Sequence, residues 1–323
     1  MGKPRIFITR PIAPVGVAML KKKFQVDVYG KDRVIPRAEL LRRLKATPYD
    51  AVLTILTERV DEVFFAAAGP QLKIVANYAV GFNNVDLEAA KRHGVVITNT
   101  PGDEINESVA EHTIALLFAL AHRLVEGDDY VRAGKYKGWD PSLLIGTDFI
   151  GKTVGVVGAG RIGTRVMRRL YDGFHVKLIY TNETGNREAE KQFGARRVGL
   201  KELLQRSDFV TLHVPLLPST RHLIGAAELK LMKKTAYLVN TSRGPIVSEK
   251  ALVAALKRKR IAGAALDVFE HEPSVPALFK KLPNVITTPH IASATIEARQ
   301  AMSRVAAQNI IAVLGGRRPK NRI

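Results

Sequence analysis

Cysteine is absent from the 323 residues of the chain, which excludes disulfide bonds, thiolate metal sites and a cysteine nucleophile. No apolar run reaches the length of about 18 residues that indicates a membrane-spanning helix. The apolar run at 5–9 is too short for the core of a signal peptide. We therefore expect a soluble cytoplasmic protein. Its length, with 46% hydrophobic residues, favours two domains.

Acidic residues are scarce relative to basic ones, with 30 against 50 and a formal net charge of +20. Such an excess is typical of proteins that bind nucleic acids. The basic residues are nevertheless dispersed in short clusters, such as 21–23, 42–43 and 257–260, and none is interleaved with aromatic residues that would stack on bases. We interpret the charge as a basic solvated surface that attracts anionic cofactors and acids, and expect neither a nucleic-acid nor a membrane partner.

Short apolar runs alternate with helix-like segments along almost the whole chain, which predicts an α/β protein with parallel sheets covered on both faces. A long apolar helix is expected at 108–123, a loop containing the only tryptophan, Trp139, at 134–141, and a final helix at 294–314. In the first third, strands are expected at 6–9, 51–56, 73–76 and 95–98, and helices at 37–46 and 86–93. A second series of six strands begins at Lys152 and continues through 176–180, 209–214, 236–240, 262–267 and 285–288.

A glycine-rich segment, TVGVVGAGRIG at 153–163, joins an expected strand to an expected helix at 164–171. Gly158 allows a tight turn, Gly160 lets the backbone approach a pyrophosphate, and Gly163 lets the helix pack closely on the strand. The amino end of the helix then offers amide donors to the phosphates. The strand and helix around the glycines make this segment a specific signature of a dinucleotide-binding fold.

The residue that reads the ribose of a dinucleotide is expected about 20 residues further on, at the end of the next strand. The usual terminal carboxylate is missing there, because Asn182 occupies the position and Glu183 follows it. Asn182 can hydrogen-bond a 2′-hydroxyl, whereas Glu183 would repel a 2′-phosphate. No arginine or lysine stands closer than Arg187. The segment favours NAD over NADP, and NADP stays the alternative.

Three polar segments each follow an expected strand, where a doubly wound sheet places its ligands. They contain Arg243, the pair Asp267 and Glu272, and His290. A lone imidazole has a pKa near ~6.5, and a neighbouring carboxylate favours its protonated form. An arginine offers a planar pair of donors to a carboxylate. Each of the three segments thus places polar side chains where a doubly wound sheet binds its ligands.

With these segments in order, the chain resembles the D-isomer-specific 2-hydroxyacid dehydrogenase family, and within it the glyoxylate/hydroxypyruvate reductases. The likeness spans essentially the whole chain. It includes AVGFNNVD at 79–86, SVAE at 108–111, GWDP at 138–141 and LIGTD at 144–148. The resemblance implies reduction of a small 2-oxo acid by hydride transfer from a nicotinamide cofactor. It also implies a homodimer, for which the apolar helix 108–123 is the interface candidate.

The resemblance assigns roles to individual residues. It makes His290 the general acid in reduction, with Glu272 as its partner and Arg243 as the ligand of the substrate carboxylate. It gives substrate binding to the backbone amides of Val80 and Gly81, and it lets Trp139 cover the substrate site of a dimer partner. It makes Asp267 the residue that holds the nicotinamide carboxamide and places His213 in the wall of the adenine site. The remaining cofactor contacts that it implies are Val109, Arg161, Ile162, Val214, Pro215 and Thr241.

The fold implied by the resemblance is a Rossmann cofactor domain at 100–289, inserted into a flavodoxin-like substrate domain formed by 1–99 and 290–323. Phosphoglycerate dehydrogenase or another D-2-hydroxyacid dehydrogenase stays an alternative, although the chain shows no regulatory extension. Phosphite dehydrogenases carry a lysine where Val80 stands. An NADH-sensing corepressor-like scaffold is the alternative from another class, because such proteins share the fold and keep the catalytic residues.

Overall fold

The apolar runs of the sequence become the strands of two parallel sheets in the computed structural model, which describes residues 2–31 and 33–323. The chain divides into two compact units. The first unit comprises the chain up to Ile105 together with Ala294–Ile323, and the second unit comprises Asn106–Ser293. The second unit is thus an insertion within the first along the chain.

The first unit contains a five-stranded sheet in the order β2-β1-β3-β4-β5. Every neighbouring pair is parallel, which is the order of flavodoxin-like folds. Apart from β2, its strands are nearly continuous apolar runs because helices cover both faces of the sheet. The strands are β1 (Arg5–Ile8), β2 (Gln25–Val28), β3 (Ala51–Thr54), β4 (Ile74–Asn77) and β5 (Val96–Thr98).

The helices of the first unit include the last helix of the chain, which packs against the first. Gly16 of the first helix lies so close to Ser303 of the last that an added Cβ would be 2.2 Å from the Ser303 carbonyl oxygen. The Gly16 amide also donates to the Ser303 hydroxyl at 3.0 Å. This contact closes the unit. The helices are α1 (Pro14–Lys21), α2 (Arg37–Ala46), α3 (Glu62–Ala68), α4 (Leu87–Arg92) and, at the end of the chain, α12 (Ile296–Leu314).

The second unit contains a seven-stranded parallel sheet in the order β12-β11-β10-β9-β6-β7-β8. The strand order reverses between β6 and β9, so the carboxyl ends of these two strands form the switch point at which doubly wound sheets bind ligands. The strands are β6 (Thr153–Val157), β7 (Lys177–Thr181), β8 (Arg196–Arg197), β9 (Phe209–Leu212), β10 (Tyr237–Asn240), β11 (Gly263–Leu266) and β12 (Val285–Thr287).

Helices and 3-10 turns cover the second sheet. The apolar residues on its two faces form two separate clusters, in which full burial of a side chain such as Phe209 or Leu238 stabilises the fold by about 1.5–3 kcal/mol each. The helices are α6 (Leu124–Arg132), α7 (Arg161–Phe174), α8 (Arg187–Phe193), α9 (Leu200–Arg206), α10 (Ala226–Leu231) and α11 (Glu249–Lys257), and the 3-10 turns are Pro218–Thr220, Gly244–Ile246 and Phe279–Lys281.

The long helix α5 (Asp103–Ala121) begins in the first unit and ends in the second. Its second half is core, because Leu116, Leu117 and Ala121 are buried beneath one face of the second sheet. Within 2–31 and 33–323, no single helix is long and apolar enough to cross a membrane. The consecutive helices α5 and α6 pass that test together by length and composition only, and they are bent by 61°.

The predicted fold class is confirmed, with two corrections to the strand count. The second sheet has seven strands rather than six, because β8 is only two arginines long and gives no apolar signal. The first sheet gains β2, whose sequence QVDV alternates and has no fully buried residue. The long helix starts at Asp103, five residues before its predicted start, because Asp103 and Glu104 favour the amino end of the helix.

Candidate active site

The glycine-rich segment lies at the switch point of the second sheet, as its position in the sequence predicts. Gly158 follows β6 with φ +97°, a conformation that side chains rarely adopt. An added Cβ there would be 2.7 Å from the carbonyl carbon of His213, which follows β9. Gly163, in the first turn of α7, packs so closely that an added Cβ would be 2.1 Å from the Gly158 carbonyl oxygen. Gly158 therefore allows the tight turn, whereas Gly163 allows α7 to pack closely against that turn.

The amino end of α7 fits the pyrophosphate of a dinucleotide. Gly160 is its N-cap, no side chain caps it, and no atom lies within 4 Å of a Cβ added at Gly160. The surface is therefore open where a ligand would approach the first amides of the helix, at Arg161 and Ile162. The first amides of a helix have no partner within the helix and carry a partial positive charge. These features suit a phosphate group.

The loop after β7 differs from its prediction in one respect. Asn182 lies there as expected, and its side chain donates to the Thr184 carbonyl at 3.1 Å. However, the guanidinium of Arg197 donates to the carbonyl of Asn182 at 2.9 Å and to that of Glu183 at 2.6 Å. Along the chain no basic residue stands closer than Arg187, but in space Arg197 lies at this loop. The pairing of β7 with β8 brings Arg197 to this loop. The sequence does not predict this contact because Arg197 is distant from the loop along the chain.

His213 follows β9 and faces the same switch point. Its Nε2 contacts the Thr211 hydroxyl at 2.9 Å, whereas its Nδ1 is buried without a hydrogen-bond partner in the part of the chain that the structure describes. Burial lowers the pKa of His213 to about 3, so the ring is neutral at physiological pH. The next two positions, Val214 and Pro215, use their carbonyls to accept the hydroxyls of Ser242 and Thr220.

The candidate acid and its carboxylate are in direct contact. His290 Nδ1 lies 2.8 Å from Glu272 Oε2, and Glu272 Oε1 accepts the amide of Phe269 at 3.1 Å. The backbone bond therefore aims the carboxylate at the imidazole. Since Nδ1 is engaged by Glu272, Nε2 is the ring nitrogen that can serve a substrate. The side chains of His290 and Glu272 are 32% and 36% exposed, so the pair is accessible.

Burial and neighbouring charges shift the pKa values of Glu272 and Arg243. Burial alone would raise the pKa of Glu272. The hydrogen bond and charge of His290 lower this pKa, as do the Phe269 amide and the charge of Arg243, and the net shift is downward. Glu272 is therefore an anion at neutral pH. Burial lowers the pKa of Arg243, and the charge of Glu272 opposes that shift. Arg243 follows β10 and donates to the Ser242 carbonyl at 2.7 Å.

Three further residues predicted to bind the cofactor are deeply buried in the second unit. Thr241 contacts the hydroxyl of Thr113 at 2.8 Å, and Thr113 in turn donates to the Val109 carbonyl at 2.8 Å. Asp267 is 0% exposed and accepts hydrogen bonds from the loop that carries His290. The structure thus brings Arg243, Asp267, Glu272 and His290 together at the carboxyl ends of β10, β11 and β12.

Val80 and Gly81 belong to the first unit, in the loop after β4. Asn99 donates to the Val80 carbonyl at 2.8 Å, and Asn77 donates to the Gly81 carbonyl at 3.0 Å. Asn77 is itself 0% exposed and also contacts Asn84 at 3.2 Å. The two carbonyls are therefore fixed by asparagine side chains.

Trp139 is 84% exposed, so it does not anchor its loop to its own unit. It is one of several exposed large apolar side chains in α6 and the following loop, a segment (124–150) that we call the apolar arm. The helix predicted at 108–123 is mostly buried, and most of the exposed large apolar side chains of the second unit come after it. The exposed members of the apolar arm are Leu124, Val125, Val131, Tyr136, Trp139, Ile145 and Ile150.

Comparison with known proteins gives the family of the chain. The model of the family described as D-isomer specific 2-hydroxyacid dehydrogenase, NAD binding domain, matches residues 114–292. The chain is 47% identical over 321 residues to a glyoxylate reductase of Pyrococcus furiosus, covering 98% of this chain and 94% of that protein. It is 39% identical to a protein of Thermus thermophilus of solved structure, with a TM-score of 0.91 and 99% of both chains covered.

A third similar protein is an NADPH-dependent glyoxylate/hydroxypyruvate reductase of Sinorhizobium meliloti, solved in complex with NADP and malonate. It is 31% identical, with a TM-score of 0.86, and the match covers 100% of this chain and 97% of that one. The family model covers more than half of the chain, and the relatives cover nearly all of it. The chain therefore belongs to the D-isomer specific 2-hydroxyacid dehydrogenases and carries their NAD-binding domain.

Proposed function

We propose that this enzyme reduces glyoxylate or hydroxypyruvate to the corresponding 2-hydroxy acid, with NADH as the preferred cofactor. The observation that carries the proposal is the contact between His290 Nδ1 and Glu272 Oε2 at 2.8 Å, with Arg243 close enough to lower the pKa of Glu272. An acid, its anionic partner and a cation for a carboxylate are the groups that reduction of a 2-oxo acid requires. The similarity to glyoxylate reductases supports the choice of substrate.

The protonated imidazole of His290 donates the Nε2 proton to the carbonyl oxygen of the substrate as negative charge develops there. A bound reduced nicotinamide supplies the hydride that adds to the carbonyl carbon. Glu272 stabilises the imidazolium before the transfer, and Arg243 binds the substrate carboxylate and polarises the carbonyl. The product thus gains its hydroxyl proton from His290, and a bound cofactor would supply the hydrogen of the new C–H bond at the former carbonyl carbon.

In this proposal, the second unit is the cofactor domain and the first unit is the substrate domain. The turn at Gly158 and Gly160 and the amides at the start of α7 hold the pyrophosphate, which the open surface at Gly160 supports. His213, neutral because of its burial, forms part of the wall of the adenine site. The amides of Val80 and Gly81 bind the substrate carboxylate, and the fixed carbonyls of these residues support that orientation.

NADH is the preferred cofactor in this proposal because Glu183 would repel a 2′-phosphate. Arg197 lies at the same loop, but its guanidinium is engaged by the carbonyls of Asn182 and Glu183. Those contacts hold the loop and engage Nε and Nη2 of the guanidinium. NADPH remains the alternative cofactor, as in the Sinorhizobium meliloti relative.

We further propose that two copies of the chain associate through the apolar arm. Exposed apolar patches of this kind mark association surfaces, and a tryptophan that is 84% exposed is a strong anchor candidate. In the dimer, Trp139 covers the substrate site of the partner subunit, where its flat ring favours compact acids.

The test is a panel of 2-oxo acids assayed by the loss of NADH and NADPH absorbance, with the variant His290→Gln beside the wild type. We expect glyoxylate or hydroxypyruvate to give the highest kcat/KM, and the variant to lose roughly 10²–10⁴-fold in kcat while it still binds NADH. Near-normal turnover by the variant would remove His290 from the mechanism. NADH binding without turnover of any 2-oxo acid by the wild type would favour the scaffold alternative.

A further inference from the structure

Asn186 lies at the end of the loop that follows β7, directly before α8. Its side-chain oxygen accepts the amide of Ala189 at 2.9 Å, so Asn186 is the N-cap of this helix. Serine and aspartate cap helices about as well, but they lack the two N–H donors of the asparagine side chain. The contacts of those donors therefore decide whether Asn186 has a role beyond capping.

Both donors of the Asn186 side chain reach the glycine-rich segment. Nδ2 donates to the carbonyl of Ala159 at 2.8 Å and to the hydroxyl of Thr164 at 2.8 Å. Ala159 is buried between Gly158 and Gly160, and Thr164 is buried in the first turn of α7. A rotated amide group would place its oxygen against the Ala159 carbonyl, so the bonding pattern determines the orientation of the group. The side chain thus joins the start of α8 to the turn at the start of α7.

The backbone of Asn186 is held by the central sheet. Its amide donates to the hydroxyl of Tyr180 at 2.7 Å, and that hydroxyl donates to the carboxylate of Glu190 in α8. Tyr180 belongs to β7 and is 0% exposed. Asn186 is therefore fixed by contacts with β7, α8 and the glycine-rich turn, and it cannot move without breaking several of them.

The rest of the loop between β7 and α8 is held as well. At its start, the amide of Gly158 donates to the carbonyl of Thr181 at 2.9 Å. In its middle, Arg197 donates to the carbonyls of Asn182 and Glu183. The bonds described above hold its far end. Contacts within the protein alone therefore fix the loop at the proposed ribose site against the turn at the proposed pyrophosphate site.

We propose that Asn186 is a positioning residue for the cofactor, because it fixes the separation between the ribose loop and the pyrophosphate turn. The ribose and the pyrophosphate of a dinucleotide are covalently joined, so one ligand must contact both segments at once. If the segments moved independently, binding would have to order them, whereas a separation that is already set avoids that entropic cost. The inference rests on the proposed places of the ribose and the pyrophosphate, and not on the proposed substrate.

The test replaces Asn186 by serine. Serine keeps an oxygen that can accept the amide of Ala189 but has no Nδ2 group to donate to Ala159 and Thr164. Within this chain, Ser248 caps α11 in the same way. The variant Asn186→Ser therefore removes the connection to the glycine-rich turn, preserves the cap of α8 and introduces no charge beside the phosphates.

The matched control is Asn284→Ser. Asn284 also donates through Nδ2 to a backbone carbonyl, that of Ala262, at 2.8 Å. It directly precedes β12, at the opposite end of the strands from the glycine-rich turn. A general effect of losing an asparagine bond of this kind will appear in both variants, whereas an effect on cofactor binding will appear only in Asn186→Ser.

Two ligands separate positioning from a local effect on the ribose loop. ADP-ribose contains both the ribose and the pyrophosphate, whereas adenosine contains the ribose alone, and the Kd of each is measured by calorimetry or by competition with NADH fluorescence. We expect the Kd of ADP-ribose to rise about tenfold in Asn186→Ser, the equivalent of one or two hydrogen bonds, and that of adenosine to change by less than about twofold. Neither Kd should change in Asn284→Ser.

Two further measurements distinguish this role from a loss of stability. Amide hydrogen exchange over residues 181–186, in the protein without cofactor, should be faster in Asn186→Ser than in Asn284→Ser. The KM for NADH should rise in Asn186→Ser while kcat at saturating NADH stays at the wild-type value. This split is expected because the proposed catalytic residues follow β10, β11 and β12 rather than β6 and β7.

Thr164→Val supplies the test if Asn186→Ser does not fold. Valine has the shape of threonine but no hydroxyl to accept a bond from Asn186, so one of the two connections is lost. We expect a severalfold rise in the Kd of ADP-ribose, with little change in that of adenosine. An unchanged Kd of ADP-ribose in this variant would overturn the inference.

Equal Kd values for ADP-ribose in Asn186→Ser and Asn284→Ser would also overturn the inference. So would an equal loss of ADP-ribose and adenosine binding, because Asn186 would then act on the ribose loop alone. Failure of the proposed function is distinguishable from these results. If the wild type binds ADP-ribose but reduces no 2-oxo acid, the function is wrong, and a selective loss of ADP-ribose in Asn186→Ser still supports the role of Asn186.

Discussion

Replacement of Gly163 by alanine tests the close contact between the glycine-rich turn and α7. The added Cβ would be 2.1 Å from the Gly158 carbonyl oxygen, whereas ordinary contacts begin at 3.4 Å, so helix and turn must separate by about 1.3 Å. Overpacking of this kind destabilises by about 1–3 kcal/mol. A unit of this size loses roughly 2–4 °C of Tm for each kcal/mol, so we expect a decrease of about 2–12 °C.

The matched control is Gly173→Ala, further along the same helix, where no atom lies within 4 Å of an added Cβ. Alanine is preferred to glycine in a helix by about 0.5–1 kcal/mol, so this variant should melt at or slightly above the wild-type temperature. Both variants are melted with and without NADH. Because Gly163→Ala displaces the turn at Gly158, the increase in Tm produced by NADH should shrink in that variant alone. A Gly163→Ala protein with wild-type Tm and wild-type NADH response would refute this account of the turn.

Three further predictions follow from the site and the apolar arm. Glu272→Gln removes the anionic partner of His290 Nδ1, so kcat/KM for reduction should fall by roughly tenfold or more while NADH still binds; an unchanged kcat/KM would contradict the pairing. Asn182→Arg combined with Glu183→Thr should raise the NADPH-to-NADH ratio of kcat/KM by about 10- to 100-fold, and a wild type that already prefers NADPH by more than about tenfold would show that the loop has been misinterpreted. Trp139→Ala should weaken discrimination against branched 2-oxo acids and lower the mass measured in solution, whereas an unchanged ratio and mass would leave Trp139 without either role.

The sequence predicts those parts of the fold that depend on local patterns. Apolar runs identify the central strands, and the helix Arg37–Ala46 coincides with its prediction at both ends. The strands β2 and β8 escape prediction because edge strands bury little, so their residues need not be apolar. Whether a stretch of helix packs in a core or at an interface also depends on what covers it, and the apolar pattern of 108–123 cannot distinguish the two.

Some residues of the site can likewise be predicted from the sequence, whereas others cannot. Arg243, Glu272 and His290 are identifiable because each follows a strand in a recognisable motif, and the structure brings them together. Arg197 is not identifiable, because only the pairing of two strands carries it to Asn182. The surroundings of Asp267 are equally hidden, since its partners come from loop amides and from α5. A sequence motif identifies the residue that reacts. The residues that orient this side chain come from distant parts of the chain.

The insertion of the second unit within the first has a consequence for biosynthesis. The contact between Gly16 and Ser303 joins residues 287 positions apart, so the first unit cannot close until the last helix of the chain has been synthesised. The second unit is complete once Ser293 has emerged, and we expect it to fold on the ribosome while the first five strands still wait for α12. During that interval, the face of the first sheet that α12 will cover is exposed to solvent. Nascent chains arrested shortly before and after α12 should therefore differ sharply in protease resistance of the first unit and little in that of the second.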